Sequence, residues 1–249
     1  MESSILLTND DGIHSAAFEA LESALAGMGQ ITIVAPDREM SASSQSLTLN
    51  QPLRYHQMSP NRYAVQGTPA DCVILASIKI LEVAPSLVIS GINRGLNIGD
   101  DIAYSGTVAG ALEAALQGIP GIAVSTFARE NANFQMAAEV AASVAMKVLA
   151  DGLPSDVILN INFPEEWNGG VRVTRQGRRA GKTVLVENLD PRGREYFWLH
   201  EELHKPNEPV SGALMTDYAA VKAGYVSVSP LQIDRTAHAF LDRMSTWLK

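Results

Sequence analysis

Hydrophobic residues along this chain fall into short dense runs separated by polar punctuation, and two periodicities alternate. Ser4–Thr8 is an apolar run bounded by polar turn residues, the pattern of a strand buried on both faces. Across residues 14–28, Ala17, Phe18, Leu21, Ala24, Leu25 and Met28 recur at helical spacing, and Gly27 with Gly29 stops the run. Residues 30–35 predict a second strand, closed by Pro36 and Asp37. A β-α-β unit is therefore complete by Pro36, and such crossovers build parallel sheets.

The pattern then repeats. Alternating stretches at 53–56 and 63–65 predict a small hairpin, and Thr68 followed by Pro69 predicts a capped helix start. Residues 87–90, 121–125 and Val157–Phe163 read as buried strands, with helices over 107–117 and 134–149 between them. Residues 1–165 thus predict an α/β catalytic core, a doubly wound and mostly parallel sheet in a Rossmann-like three-layer arrangement. Beyond it the texture changes. Strand-like pieces at 171–174, 183–186 and 195–198 are separated by Gly- and Arg-rich turns. A short helix capped by Thr216, a strand at 225–229 and a final helix over 235–247 follow. Residues 166–249 are expected to form a β-rich C-terminal extension with a terminal helix, completing the fold and contributing to oligomerisation.

Composition narrows the class. Hydrophobic residues make up 46% of the 249 positions and charged residues 18%, enough for a substantial core and unlike a disordered chain. The most apolar stretch, 102–128, is interrupted by Glu113, Gly118, Pro120 and Gly121, so it reads as helix, turn and strand instead of a bilayer span. The first residues lack the basic region of a secretory signal. Cys72 is the only cysteine, which excludes an intrachain disulfide and a cysteine-based zinc site. A reducing, cytoplasmic setting is the expectation. The net charge of −8 argues against a nucleic-acid polymer as main partner. It leaves small anions open, because a cation bound in an acidic pocket creates a phosphate receptor.

Four polar clusters lie just past the carboxyl ends of predicted strands, the edge where open α/β sheets bind ligands. They are Asn9-Asp10-Asp11-Gly12, the serine-rich loop 41–46, the Gly/Asn-rich loop 91–101, and Ser105-Gly106-Thr107 opening a helix. Adjacent carboxylates at Asp10 and Asp11 repel when they converge, unless a cation sits between them, and hard oxygen donors suit Mg²⁺ or Mn²⁺. Taken alone, an Asp-Asp-Gly sequence is more often a turn and helix cap. Ser41 and Asn93 are candidate neutral donors to complete a coordination shell, with Ser43, Ser44 and Ser46 equally placed by spacing. Gly91, Gly95 and Gly99 interleaved with Asn93 and Asn97 make a loop whose backbone can approach a ligand closely. The start of a helix at Ser105-Gly106-Thr107 offers free N–H groups and a favourable dipole to an anion, though Ser and Thr cap many helices that bind nothing.

Other signals carry less. Gly177-Arg178-Arg179-Ala180-Gly181-Lys182-Thr183 is one residue short of a P-loop between its glycines and precedes no helix, so it reads as a basic turn. His14, His56, His200, His204 and His238 show no metal-ligand spacing, and neither a Gly-x-Ser-x-Gly elbow nor a dinucleotide fingerprint is present.

These clusters resemble the SurE family of stationary-phase survival proteins. The similarity is carried by Ile5-Leu6-Leu7-Thr8-Asn9-Asp10-Asp11-Gly12, by Val34-Ala35-Pro36-Asp37-Arg38 leading to Ser41, and by Gly67-Thr68-Pro69-Ala70-Asp71. It continues through Ser90-Gly91-Ile92-Asn93-Arg94-Gly95-Leu96-Asn97, Tyr104-Ser105-Gly106-Thr107 and Thr216-Asp217-Tyr218. The resemblance implies a 5′(3′)-nucleotidase acting on nucleoside monophosphates, with some exopolyphosphatase activity on short polyphosphate, in a homodimer or homotetramer. It implies one Mg²⁺ or Mn²⁺ per subunit held by Asp10, Asp11, Ser41 and Asn93, and phosphate bound at Asn97, Ser105, Gly106 and Thr107. Asp10 is then the first choice for receiving a proton from the attacking water, and Asp11 for metal affinity. Residues 192–211 are the part least like the family.

Overall fold

The computed structural model describes residues 3–127, 132–178, 181–203 and 214–248. The strands are β1 (Ser4–Thr8), β2 (Gln30–Pro36), β3 (Tyr55–Ser59), β4 (Arg62–Val65), β5 (Leu87–Arg94), β6 (Gly121–Thr126), β7 (Val157–Phe163), β8 (Val171–Val173), β9 (Gly181–Leu189), β10 (Glu195–Leu203) and β11 (Val226–Gln232). The helices are α1 (Ala17–Ala24), α2 (Pro69–Leu75), α3 (Gly106–Leu116), α4 (Ala132–Asp151), α5 (Asp217–Lys222) and α6 (Leu241–Ser245).

Nine of these strands form one sheet in the order β3-β4-β2-β1-β5-β6-β7-β11-β8. From β4 to β7 every pairing is parallel; β3 and β11 run antiparallel to their neighbours β4 and β7. Side chains alternate across each strand, and helices cover both faces. Ile5 and Leu7 meet Phe18 and Leu21 of α1 and Phe134 of α4 on one face. Leu6, between them in sequence, meets Cys72 and Val73 of α2 and Ala114 of α3 on the other. A strand buried on both sides has no polar face to show, which is why Ser4–Thr8 reads as a continuous apolar run. The architecture is therefore a doubly wound, mostly parallel three-layer α/β fold.

Strand order reverses at β1: β2 lies on one side of it and β5 on the other, all three parallel. The crevice at such a switch point is where doubly wound sheets bind ligands, and it is here that β1 delivers Asp10 and β5 delivers Asn93. Strand β5 runs on to Arg94 instead of stopping at Ser90. Its register against β6 shifts between Ser90 and Asn93, and the Gly91–Ile92 peptide is cis. Gly91 has φ +146° and lies against β6 so closely that a Cβ there would stand 2.3 Å from the Val124 carbonyl oxygen. Only glycine fits that position.

Strand β11 enters the main sheet between β7 and β8. β9 and β10 form a separate antiparallel hairpin, with Trp198 opposite Val186 and Leu199 opposite Leu185. It is longer than the two strand-like pieces expected there, and its apolar side chains are exposed. Instead of one final helix, the end of the chain is a 3₁₀ turn at His238–Phe240, α6, and a second 3₁₀ turn at Thr246–Leu248. Phe240 and Trp247 contact each other edge-on across it.

Candidate active site

The loop after β1 is held by its own side chain. Asn9, fully buried, accepts from Gly12 N–H at 3.0 Å and donates to Gly12 C=O at 3.1 Å, so the chain turns and presents Asp10 and Asp11 at the edge. The serine-rich loop is tied to the same point by Met40 N–H, which donates to Asp10 C=O at 2.8 Å.

Asp10 is buried, and that burial raises its pKa above the usual carboxylate range. Thr107 opposes the shift: its hydroxyl donates to Asp10 Oδ1 at 2.5 Å and its backbone N–H points at the same carboxylate. Asp10 therefore sits at the N-terminus of α3, where dipole and donors favour negative charge. Gly106 allows this approach. A Cβ on Gly106 would meet Ser43 Oγ at 2.7 Å, Asp10 Cβ at 2.9 Å and Asp10 Oδ2 at 3.0 Å. Ser105 caps the helix by accepting from Val108 N–H at 3.0 Å, which leaves its own hydroxyl proton to donate.

Asp11 is half-buried. Burial first, then the neighbouring Asp10 charge, pushes its pKa up to about 6; the Arg94 guanidinium and backbone N–H pull the other way, and Glu39 adds repulsion. Its Oδ2 is buried with no hydrogen-bond partner, as is the hydroxyl of Ser43. A buried carboxylate oxygen left unpaired beside a second carboxylate is an unfavourable arrangement that a cation relieves. Asn93 points its amide N–H at Gly95 C=O at 2.8 Å, which leaves its carbonyl oxygen as the remaining acceptor. Ser41 is exposed and donates to Glu39 at 2.7 Å. Asp10, Asp11, Asn93 and the serine loop thus meet on the adjacent strands β2, β1 and β5. Ser43 lies nearest Asp10 and Gly106, whereas the Ser41 hydroxyl faces Glu39. Among the described residues no three His, Cys, Asp or Glu side chains gather as a metal cluster. The donor set here is two carboxylates with neutral oxygens, a hard set that fits Mg²⁺ or Mn²⁺.

Asn97 is fixed from the far side of the crevice. Its N–H donates to Asn162 Oδ1 at 2.8 Å and its side-chain amide to Ser125 at 2.8 Å. Its carbonyl accepts from Asn160 at 2.8 Å and Asn162 at 3.1 Å. Further along the same loop, buried Asp217 accepts from Gly99 N–H at 2.8 Å and from Gly177 N–H at 2.9 Å, while Gln176 donates to Gly99 C=O at 2.8 Å. Reading the motifs alone misses Ser125, Asn160, Asn162, Gln176 and Asp217 as supports. The available signals were Asn160 and Asn162, two amides on one face of an otherwise apolar strand, and Asp217 within Thr216-Asp217-Tyr218. Arg178, placed in the basic turn, lies 3.7 Å from Asp100; Arg179 and His204 fall outside the described residues.

A doubly wound α/β fold with two converging carboxylates and a helix N-terminus at its switch point defines the class: an α/β protein with a polar small-ligand crevice at the carboxyl edge of its sheet. The chain matches the Survival protein SurE family over residues 5–183, and it belongs to that family. It is 47% identical to the 5′-nucleotidase SurE of Syntrophotalea carbinolica over 247 residues, covering 98% of this chain and 96% of that one. It is 48% identical to the protein of the same name from Geobacter sulfurreducens over 248 residues, covering 98% and 93%. The crystal structure of the SurE protein from Aquifex aeolicus superposes with a TM-score of 0.85 at 43% identity, covering 99% of this chain and all of that one.

Proposed function

We propose that this chain is a metal-dependent 5′(3′)-nucleotidase that hydrolyses nucleoside monophosphates to nucleoside and phosphate, with exopolyphosphatase activity on short polyphosphate as a second capacity. The reading is carried by the Asp10–Asp11 pair: two carboxylates with raised pKa values, one oxygen of Asp11 buried and unpaired, at the N-terminus of α3. The relatives named 5′-nucleotidase SurE support the substrate class.

Asp10, Asp11, Ser41 and Asn93 would hold one Mg²⁺ or Mn²⁺ per subunit, with Ser41 turning its hydroxyl from Glu39 to join the set. When bound, the cation supplies charge neutralisation for phosphoryl oxygens and lowers the pKa of water. The chain does the rest. Ser105, Gly106 and Thr107 offer a hydroxyl, backbone N–H groups and the helix dipole to the phosphate, and Asn97 adds an amide held still by β6 and β7. Thr107 fixes Asp10 Oδ1, so Oδ2 is the oxygen that receives a proton from the attacking water, and burial brings its pKa closer to the working pH of a base. Asp11 chiefly sets metal affinity. The enzyme is proposed to act in the cytoplasm as a homodimer or homotetramer. Among the described residues no helix is long and apolar enough to cross a membrane.

The test is phosphate release from a panel of nucleoside monophosphates, with Mg²⁺, with Mn²⁺ and with EDTA, beside an Asp10→Ala control. Release that requires metal and disappears in the control is expected. Release that persists in EDTA removes the metal assignment, and no release in any condition removes the enzyme.

A further inference from the structure

The Gly67-Thr68-Pro69-Ala70-Asp71 motif takes no part in the chemistry above, yet its carboxylate reaches the loop that does. Residues 41–46 approach the site in a demanding conformation. Ala42 and Ser44 have φ +56° and +50°, a left-handed backbone that residues other than glycine hold only where their surroundings impose it. Between them lies Ser43, whose buried hydroxyl sits close to Asp10 and Gly106. At its near end the loop is tied to the end of β1 by Met40 N–H, which donates to Asp10 C=O. Its middle leans on the turn before α3: Ser44 donates its N–H to Tyr104 C=O at 3.0 Å and its hydroxyl to Ala103 C=O at 3.1 Å.

Just past the far end, the chain is held by Asp71. Thr48 donates its N–H to Asp71 Oδ1 at 3.1 Å and its hydroxyl to Oδ2 at 2.6 Å. Thr68 adds a second tie, its hydroxyl donating to Ser46 C=O at 2.8 Å. Capping α2 asks for less than this. The reciprocal cap uses one carboxylate oxygen, Oδ2, which accepts from Thr68 N–H at 2.9 Å. Such a cap would serve the helix equally well at the surface, yet Asp71 is only 2% exposed. Burying a carboxylate is costly unless donors surround it, and the further donors here are those of Thr48, 23 positions away. Gly67 closes another side: a Cβ there would stand 2.8 Å from Asp71 Oδ2 and 2.9 Å from Asp71 Cβ. The carboxylate is thus fixed on α2, and Thr48 is fixed to it.

We propose that Asp71 is a positioning residue for the metal site: by latching the end of the serine loop it holds Ser41 within reach of the cation. The proposal rests on the metal assignment made above and adds the group that keeps that ligand in place. Ser41 is exposed and its own hydrogen bond goes to Glu39, so its reach towards Asp10 and Asp11 depends on how the rest of the loop is tied. With the latch cut, residues 41–48 are free to relax towards ordinary backbone angles, and the cation loses a neutral donor. Asp10, Asp11 and Asn93 stay at the ends of their strands. Metal binding therefore weakens while the chemistry at saturating metal survives.

The experiment cuts the latch from the loop side. Thr48→Val removes the hydroxyl and leaves the cap of α2 untouched, Thr48→Ser returns it, and Asp71→Asn weakens latch and cap together. Two quantities are measured: the Mn²⁺ concentration giving half-maximal phosphate release from a nucleoside monophosphate, and the rise in melting temperature that Mn²⁺ alone produces without substrate. Thr48→Val should raise the half-maximal concentration by about tenfold, the worth of one hydrogen bond to a charged group, and change kcat at saturating Mn²⁺ by less than about twofold. Its melting shift should shrink, and Thr48→Ser should restore both quantities. A Thr48→Val protein with the wild-type half-maximal concentration and melting shift would reduce Asp71 to a helix cap. A fall in kcat with an unchanged Mn²⁺ response would overturn the latch as well. A wild type that gains stability from Mn²⁺ but releases no phosphate would remove the nucleotidase reading, while the melting shifts still decide the latch. A wild type with no Mn²⁺ shift would overturn the metal assignment and the latch together.

Discussion

At the scale of single residues, the site is organised by where two carboxylate charges are placed. The folded pKa of Asp11, about 6, is above the ordinary value of 3.8. The folded, metal-free protein therefore holds this proton more tightly than the unfolded chain does. Its contribution to stability is fully present below pH 3.8 and is lost as pH rises through 6. Melting curves in EDTA across pH 4–8 should show that loss, and Asp11→Asn should flatten it. A variant with the wild-type profile would place the charge burden elsewhere. Thr107 is the second lever. Thr107→Val keeps the shape and removes the hydroxyl that holds Asp10, leaving a buried carboxylate short of a donor. We expect a cost of about 1–3 kcal/mol by urea unfolding, together with at least a tenfold fall in phosphate release at saturating metal. Unchanged release would show that Asp10 needs no such anchor.

Elements place these residues, and some of that placement is legible in sequence. The run Ser4–Thr8 could only be a doubly buried strand, so Asp10 and Asp11 had to emerge at its carboxyl edge. Thr68 with Pro69 announces α2, and the structure shows the full reciprocal cap, Thr68 with Asp71. Strand β5 was harder. Its path past Ser90 depends on the shifted register against β6 and on Gly91 pressing on Val124, a contact with a distant strand that leaves no local pattern. The union of Asp10 with Thr107 is likewise invisible to periodicity, because 97 positions separate them. Serine spacing could not rank Ser41 against Ser43, since the answer depends on how the loop leans against α3. That lean makes a clear prediction for the element. Gly106→Ala should favour the helix by up to about 1 kcal/mol, yet its methyl would intrude on Asp10 Oδ2 and Ser43 Oγ. Circular dichroism should show an intact fold with phosphate release reduced by about tenfold or more; full activity would mean that the loop yields.

For the whole molecule, the outlying surface says most. Leu185, Tyr196, Phe197, Trp198 and Leu199 of the β9–β10 hairpin are all exposed, with Trp198 at 65% and Leu199 at 76%. These apolar side chains lie on both faces of a two-stranded ribbon, which is marginal in water by itself, and we propose that a second copy of the chain covers it. We expect wild-type protein to scatter light as an oligomer, and the double variant Trp198→Ser with Leu199→Ser to lower the molar mass. A wild-type mass equal to one chain would remove the hairpin from any assembly role. The bulk sequence numbers gave no view of this surface, because 46% hydrophobic composition does not say which residues remain outside.

The clasp at Asp217 gives the chain an order of completion. Asp10 and Asp11 are made well before the groups that fasten the facing loop: Gly99 is gripped by a carboxylate from residue 217 and by an amide from residue 176. The strands that carry the carboxylates can pair long before their opposite bank is secured. A chain stopped before residue 217 would carry Asp10 and Asp11 without the fastened Gly99 loop. Fastening of the Gly99 loop thus waits for residue 217, whatever the earlier strands have already paired with.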